Sequence, residues 1–194
     1  MGSEAEIWRV DPGTLRDVLL DKAAVESRLE GCPALERVWI LSLLGRDEEA
    51  VAEGRSLLAG SHDPLRSLLV LAHAHQRQYR WHEAATLHEQ ALRLAATRAR
   101  EALVRHQIGR RLFDEARYHD AVAEFEWACD LYRTSGRNRL AEVSRQALIR
   151  ARELSASLNR STSTSQDRLP ARSHGTAAPG NGHATSVKSP GLSS

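Results

Sequence analysis

The chain is poor in the residues that usually announce a chemistry. Cys32 and Cys129 are its only cysteines in 194 residues. Two cysteines so far apart do not make a disulfide framework, and each is expected to act as a small buried apolar side chain. Lysine is nearly missing: Lys22 and Lys188 stand beside 25 arginines, the coding bias expected of a GC-rich bacterial genome. Neither sign of charge dominates. The net charge is +2, and the four basic residues and one acid from Asn159 onward contribute +3, leaving the rest at −1. A near-neutral body argues against nucleic-acid binding, which normally shows a clear basic excess.

Long apolar runs are absent as well. None approaches the ~18 residues of a membrane-spanning helix, and Met1 to Asp11 lacks the basic and apolar regions of a signal peptide. The expectation is a cytoplasmic protein with no membrane contact. No Gly-x-Ser-x-Gly, glycine-rich phosphate loop or His-Glu-x-x-His occurs. Six of the nine histidines lie between His73 and His119, but no two of them have the i, i+3 or i, i+4 spacing that turns helical ligands to one side. His82–Glu83 and His119–Asp120 are sequence neighbours, which do not face one another on a helix. No metal, cofactor or catalysis is expected.

What the chain does have is a repeat. Gly45-Arg46-Asp47-Glu48-Glu49-Ala50 recurs as Tyr79-Arg80-Trp81-His82-Glu83-Ala84 and as Ala116-Arg117-Tyr118-His119-Asp120-Ala121. The alanines are 34 and then 37 residues apart, a period that signals stacked helical hairpins. Asp11-Pro12 and Asp63-Pro64 read as cap-then-proline helix starts, and Gly31 as a helix stop. Apolar spacing predicts a first helix from Pro12 to about Gly31, and then a second from Pro33 to the turn at Gly45. Further helices follow from Ala50 to Gly60, Pro64 to Gln78, Trp81 to Leu94, Glu101 to Asp114, Tyr118 to Arg133 and Asn138 to Leu158. No stretch reads convincingly as a strand. The expected division is a flexible N-terminus over 1–11, a helical repeat domain over 12–158, and a Ser/Thr/Gly/Pro-rich tail over 159–194. That tail has too little apolar area to offset its ordering entropy, so disorder is expected there.

Antiparallel helices approach closely only where one side chain is small. Ala50, Ala84 and Ala121 occupy one column; Leu57, Ala91 and Ala128 follow seven residues on; Val38, Ala72 and Gly109 precede by twelve. Leu41, Leu112, Phe125, Trp81 and Tyr118 would fill the gaps between hairpins, and neighbours must stack to bury their faces.

With these columns in place, Gly109…Leu112…Tyr118…Ala121…Phe125…Ala128 resembles a tetratricopeptide repeat. Leu71-Ala72…Trp81…Ala84…Ala91-Leu92 is similar, and Val38…Gly45…Ala50 is a weaker third copy. Gly54 and His88 depart where the family prefers an aromatic. Leu131 to Arg137 also resembles repeat linkers in bacterial regulatory proteins of this superfamily. The resemblance covers about Pro33 to Arg133. It implies an all-α fold: a right-handed α-solenoid of about three hairpins with flanking capping helices, whose concave groove binds a peptide or protein. The family lines that groove with the first helix of each hairpin. Carried over, this gives Leu35, Trp39, Ser42 and Leu43; then Arg66, Leu69, His73, Gln76 and Arg77; then Leu103, His106, Arg110, Phe113 and Asp114. The mixture, apolar near Trp39 and basic from Arg66 to Arg110, is expected to accept an acidic or amphipathic segment, with Trp39 and Phe113 as anchors. The competing expectation makes Trp39 core and the arginines a solvated face. The carboxylate clamp of some family members is missing: of Leu35, Trp39, Val70, Leu103 and Gln107 at its positions only Gln107 is a suitable donor, so chaperone-tail binding is not expected. Two other functions remain open: docking to a bacterial transcription or signalling protein, and self-association through an apolar edge beside Leu15 or Leu148.

Overall fold

The computed structural model describes residues 6–166. Within them the chain is overwhelmingly helical. A short antiparallel hairpin of β1 (Trp8–Val10) and β2 (Asp17–Leu19) is followed by α1 (Lys22–Arg28), α2 (Ala34–Leu43), α3 (Asp47–Ala59) and α4 (Pro64–Arg77). Then come α5 (Trp81–Arg93), α6 (Arg98–Asp114), α7 (Tyr118–Thr134) and α8 (Asn138–Gln166).

The three repeat copies fold alike. Ala50, Ala84 and Ala121 are all fully buried, as are Val38 and Ala72 to within 1%. Each hairpin turns through a residue of positive φ at the same register: Gly45 (74°), Tyr79 (59°) and Ala116 (59°). The next residue is Arg in every copy. Its amide closes the helix end onto the carbonyl five residues back, Arg46 to Leu41, Arg80 to His75 and Arg117 to Leu112, the pattern of a left-handed C-terminal cap. Its guanidinium then pairs with the acid three residues on, Arg46–Glu49, Arg80–Glu83 and Arg117–Asp120. The α7–α8 connection uses the same device, with Gly136 at φ 73° and Arg137 bonded back to Tyr132.

The first helices of the pairs run side by side, α2 against α4, α4 against α6 and α6 against α8, while each also packs on its sequence neighbours. Four apolar clusters run through this stack. One joins α1 to α4 around Val25, Ile40, Leu41 and Ala50. Another centres on Leu65, Leu68 and Val104. Two more tie α6 and α7 to α8, around Phe125 and Ala151 and around Cys129 and Tyr132. Cys129 is buried and Cys32 half-buried; both are free thiols.

The N-terminal expectation is corrected. Residues 12–20 form no helix, and 8–10 are not loose: they pair in register, Trp8 with Leu19, Arg9 with Val18 and Val10 with Asp17. Asp11 does act as a cap, but of a turn. Its Oδ1 accepts the Gly13 amide at 3.0 Å, the Thr14 amide at 2.7 Å and the Thr14 hydroxyl at 2.9 Å. Gly13 disfavours continuing as a helix by about 1 kcal/mol relative to alanine. Asp17, Val18, Leu19 and Leu20 then alternate inward and outward, the period of a strand with one face covered. Helix begins only at Lys22, where Asp21 accepts the Ala24 amide at 3.0 Å.

At the other end α8 runs past Leu158 to Gln166, because Asn, Ser and Thr are mediocre helix formers but not breakers. The expected disordered tail is thus helical over 159–166, and residues 167–194 lie outside the described residues. No helix among the described residues is long and apolar enough to cross a membrane.

Candidate functional site

The surface presented by α2, α4, α6 and α8 is not bare. The β-hairpin lies across all four helices. At one end Trp8 meets Trp39 of α2 edge to face, ring centroids 4.6 Å apart. At the centre Arg110 of α6 donates through Nη2 to the Leu15 carbonyl at 2.7 Å and to Asp17 Oδ2 at 3.2 Å. His73 Nε2 of α4 stands 3.8 Å from the same Asp17 oxygen. At the other end Arg16 donates to Asp114 at 2.9 Å and reaches the Tyr79 hydroxyl at 3.5 Å, and Arg150 of α8 donates to the Gly13 carbonyl at 2.9 Å.

The centre of this arrangement is a buried carboxylate on a buried cation. The side chains of Asp17 and Arg110 are 4% and 15% exposed. The attraction between two charges this far from water offsets their desolvation only if their remaining hydrogen-bonding groups are satisfied; here Arg110 also binds a backbone carbonyl. His73 completes the wall as a neutral ring. Desolvation first, then the Arg110 charge, hold its pKa down to about 4 against the opposing pull of Asp17. At neutral pH it is therefore a dipole beside Asp17 rather than an ion pair. Its Nε2 has no hydrogen-bond partner among the described residues.

The expected lining residues fall into three groups. Trp39, His73 and Arg110 touch the hairpin as described. Gln76 acts one step behind: it is buried and donates to Asp114 Oδ2 at 2.5 Å, which holds the carboxylate that Arg16 grips. His106 lines the cavity under Val10, Pro12 and Leu15, tilts against Phe125 and shares a 3.0 Å hydrogen bond with the Ser144 hydroxyl. Burial pushes its pKa down to about 3, with the Arg110 charge adding to the effect. Phe113 is 5% exposed and packs edge-on against Tyr118; it borders the cleft beneath Gly13, Thr14 and Arg16 of the hairpin tip. Arg66 is exposed and Arg77 half-buried; neither touches the hairpin through a described hydrogen bond or ion pair.

Sequence reasoning missed Leu15, Arg16, Asp17 and Arg150. A strand-like alternation at Asp17–Leu20, beside a Pro-Gly turn, was the available signal. Leu15 and Leu148, expected on an exposed apolar edge, pack with the Phe125 cluster instead. The exposed large apolar residues of α7 and α8 among the described residues are Trp127, Leu140, Val143, Ile149 and Leu158. No group of three or more potential metal ligands converges among the described residues.

Searches against protein-family models, curated proteins and solved structures return no match to this chain.

Proposed function

We propose that the chain is a protein-interaction module: a right-handed α-solenoid of about three tetratricopeptide-like hairpins whose inner face binds a polypeptide segment. The repeated turns, the equivalent buried alanines and the side-by-side first helices support the solenoid reading. One observation carries the binding reading. The face of α2, α4 and α6 already holds an extended segment, which brings one carboxylate and one backbone carbonyl to Arg110. A partner that presents an acidic side chain beside an apolar one matches that chemistry. The site works through charge-assisted hydrogen bonds of the kind that give orientation as well as affinity, with Trp39 supplying an aromatic contact. No step of bond-making chemistry is assigned to it.

The test is affinity capture with the whole chain as bait, wild type against an Arg77→Glu, Arg110→Glu double variant of unchanged helicity. Loss of the native partners supports the reading. Retention of all of them defeats it.

A further inference from the structure

The hairpin is the resident of its own binding face, and it is poorly seated. Cavities of about 420, 300 and 200 Å³ follow one another along its seam with the helices. The first opens between Trp8 and Leu35, the second between Leu15 and Val143, the third between Gly13 and Tyr118. These are clefts open to solvent, so water reaches the seam along its length. Leu15, whose carbonyl meets Arg110, sits at φ 56°, a conformation that a bulky side chain rarely adopts. The outward face of the hairpin exposes Val18, Leu20 and the flank of Val10. Two strands alone are marginal in water, so the hairpin depends on the helices while fitting them loosely.

Its two ends are held differently. The base is anchored: Ile7 and Leu19 pack into the α1–α4 cluster, and the Leu20 and Asp21 amides both reach the Ile7 carbonyl. The tip, Val10 to Asp17, inserts one apolar side chain, Leu15, against the Phe125 cluster, and is otherwise held by polar contacts from Arg110, Arg150 and Asp114. These are the contacts that water or a competing carboxylate can replace.

We propose that the tip of this hairpin is an autoinhibitory strap, and that the ligand of the face is a turn-forming peptide with an aspartate, which takes the Arg110 site by displacing Asp17. This rests on the binding reading above and adds its regulation. A tethered resident competes at an effective concentration on the order of millimolar, so an external segment is masked until the tip lets go.

The experiment combines hydrogen exchange on the full chain with titration of a fluorescent synthetic peptide copying residues 6–20. It compares wild type, Asp17→Asn and Arg110→Gln. In the expected result the Asp11 and Leu15 amides exchange by local opening, well ahead of α4 and α6, and Asp17→Asn speeds them alone. The peptide then binds the Asp17→Asn chain about tenfold tighter than wild type, and the Arg110→Gln chain hardly at all. Tip amides that exchange only with global unfolding overturn the strap, as does equal peptide affinity for wild type and Asp17→Asn. Affinity capture reports on the face independently. A rigid tip with Arg110-dependent partners sinks only the strap; an opening tip with Arg110-independent partners sinks the binding reading.

Discussion

At the scale of single residues, the packing of each hairpin depends on where a side chain is missing. Gly109 of α6 faces Phe125 of α7 so closely that a Cβ there would stand 2.7 Å from two ring carbons and 3.0 Å from a third. The ring is fully buried and cannot move aside without disturbing its cluster with Ala147 and Leu148. Gly109→Ala would gain about 1 kcal/mol of helix propensity, yet overpacking a tight core costs about 1–3 kcal/mol. A net loss of stability is expected on denaturant titration. Gly54 is the contrast. Its Cβ would approach the Leu71 Cδ1 at 2.9 Å, the far end of a flexible side chain, so Gly54→Ala should be close to neutral. If both variants gain stability, close helix approach is not what selects these glycines.

At the scale of the element, each turn asks for a left-handed residue, but the chain supplies glycine only sometimes. Gly45 and Gly136 take the position without strain; Tyr79 and Ala116 take it at φ 59°. Such a conformation costs an ordinary residue about 1–2 kcal/mol, partly offset by the extra chain entropy that glycine loses on folding. Ala116 is exposed, so Ala116→Gly should stabilise the protein by about 0.5–1 kcal/mol, read as a higher midpoint in urea. Tyr79→Gly should not show this gain, because Tyr79 also packs edge to face against Trp81 and meets Arg16. These turns explain why the helices were legible from sequence. A left-handed residue, Arg and acid at fixed offsets encode a cap, an N–H bond and an ion pair that all act within nine residues. The β-hairpin was not legible, because its cause is non-local. Pro12, Gly13 and Asp17 suit either a capped helix or a turn, and the choice falls to the strand because α6 and α8 supply Arg110 and Arg150 from more than ninety residues away. Of the expected columns, Trp39, His73 and Arg110 meet the hairpin; the hairpin as their occupant was not legible.

At the scale of the whole molecule, three adjacent helices each carry a histidine held neutral by its surroundings. His73 on α4 is held down to about 4, by desolvation and then by Arg110 and Arg77, against Asp17 and Asp114. His88 on α5 is held to about 3 by desolvation, Arg111 and His73, and His106 on α6 to about 3 by desolvation and Arg110. The unfolded chain protonates such rings near 6.5. Between that value and the folded ones, the unfolded state binds more protons, so stability rises with pH and is lost as pH falls. Each histidine contributes a slope of up to about 1.4 kcal/mol per pH unit through this window. The depressed carboxylates Glu49, Glu83 and Glu142 start from 4.5, so their share is lost only below that value. Acid loss between pH 6.5 and 5 therefore belongs to the histidines. Against a typical total of about 5–15 kcal/mol, the melting temperature should be flat above pH 7 and fall steeply from 6.5 to 5. His88 lies in the column where Phe125 stands one repeat later, so His88→Phe should lessen that fall while leaving the pH 7.5 value unchanged or higher. A melting temperature that stays level from pH 7.5 to 5 would show that these rings are not buried neutral, and would take the hydrophobic account of the helix stack down with it.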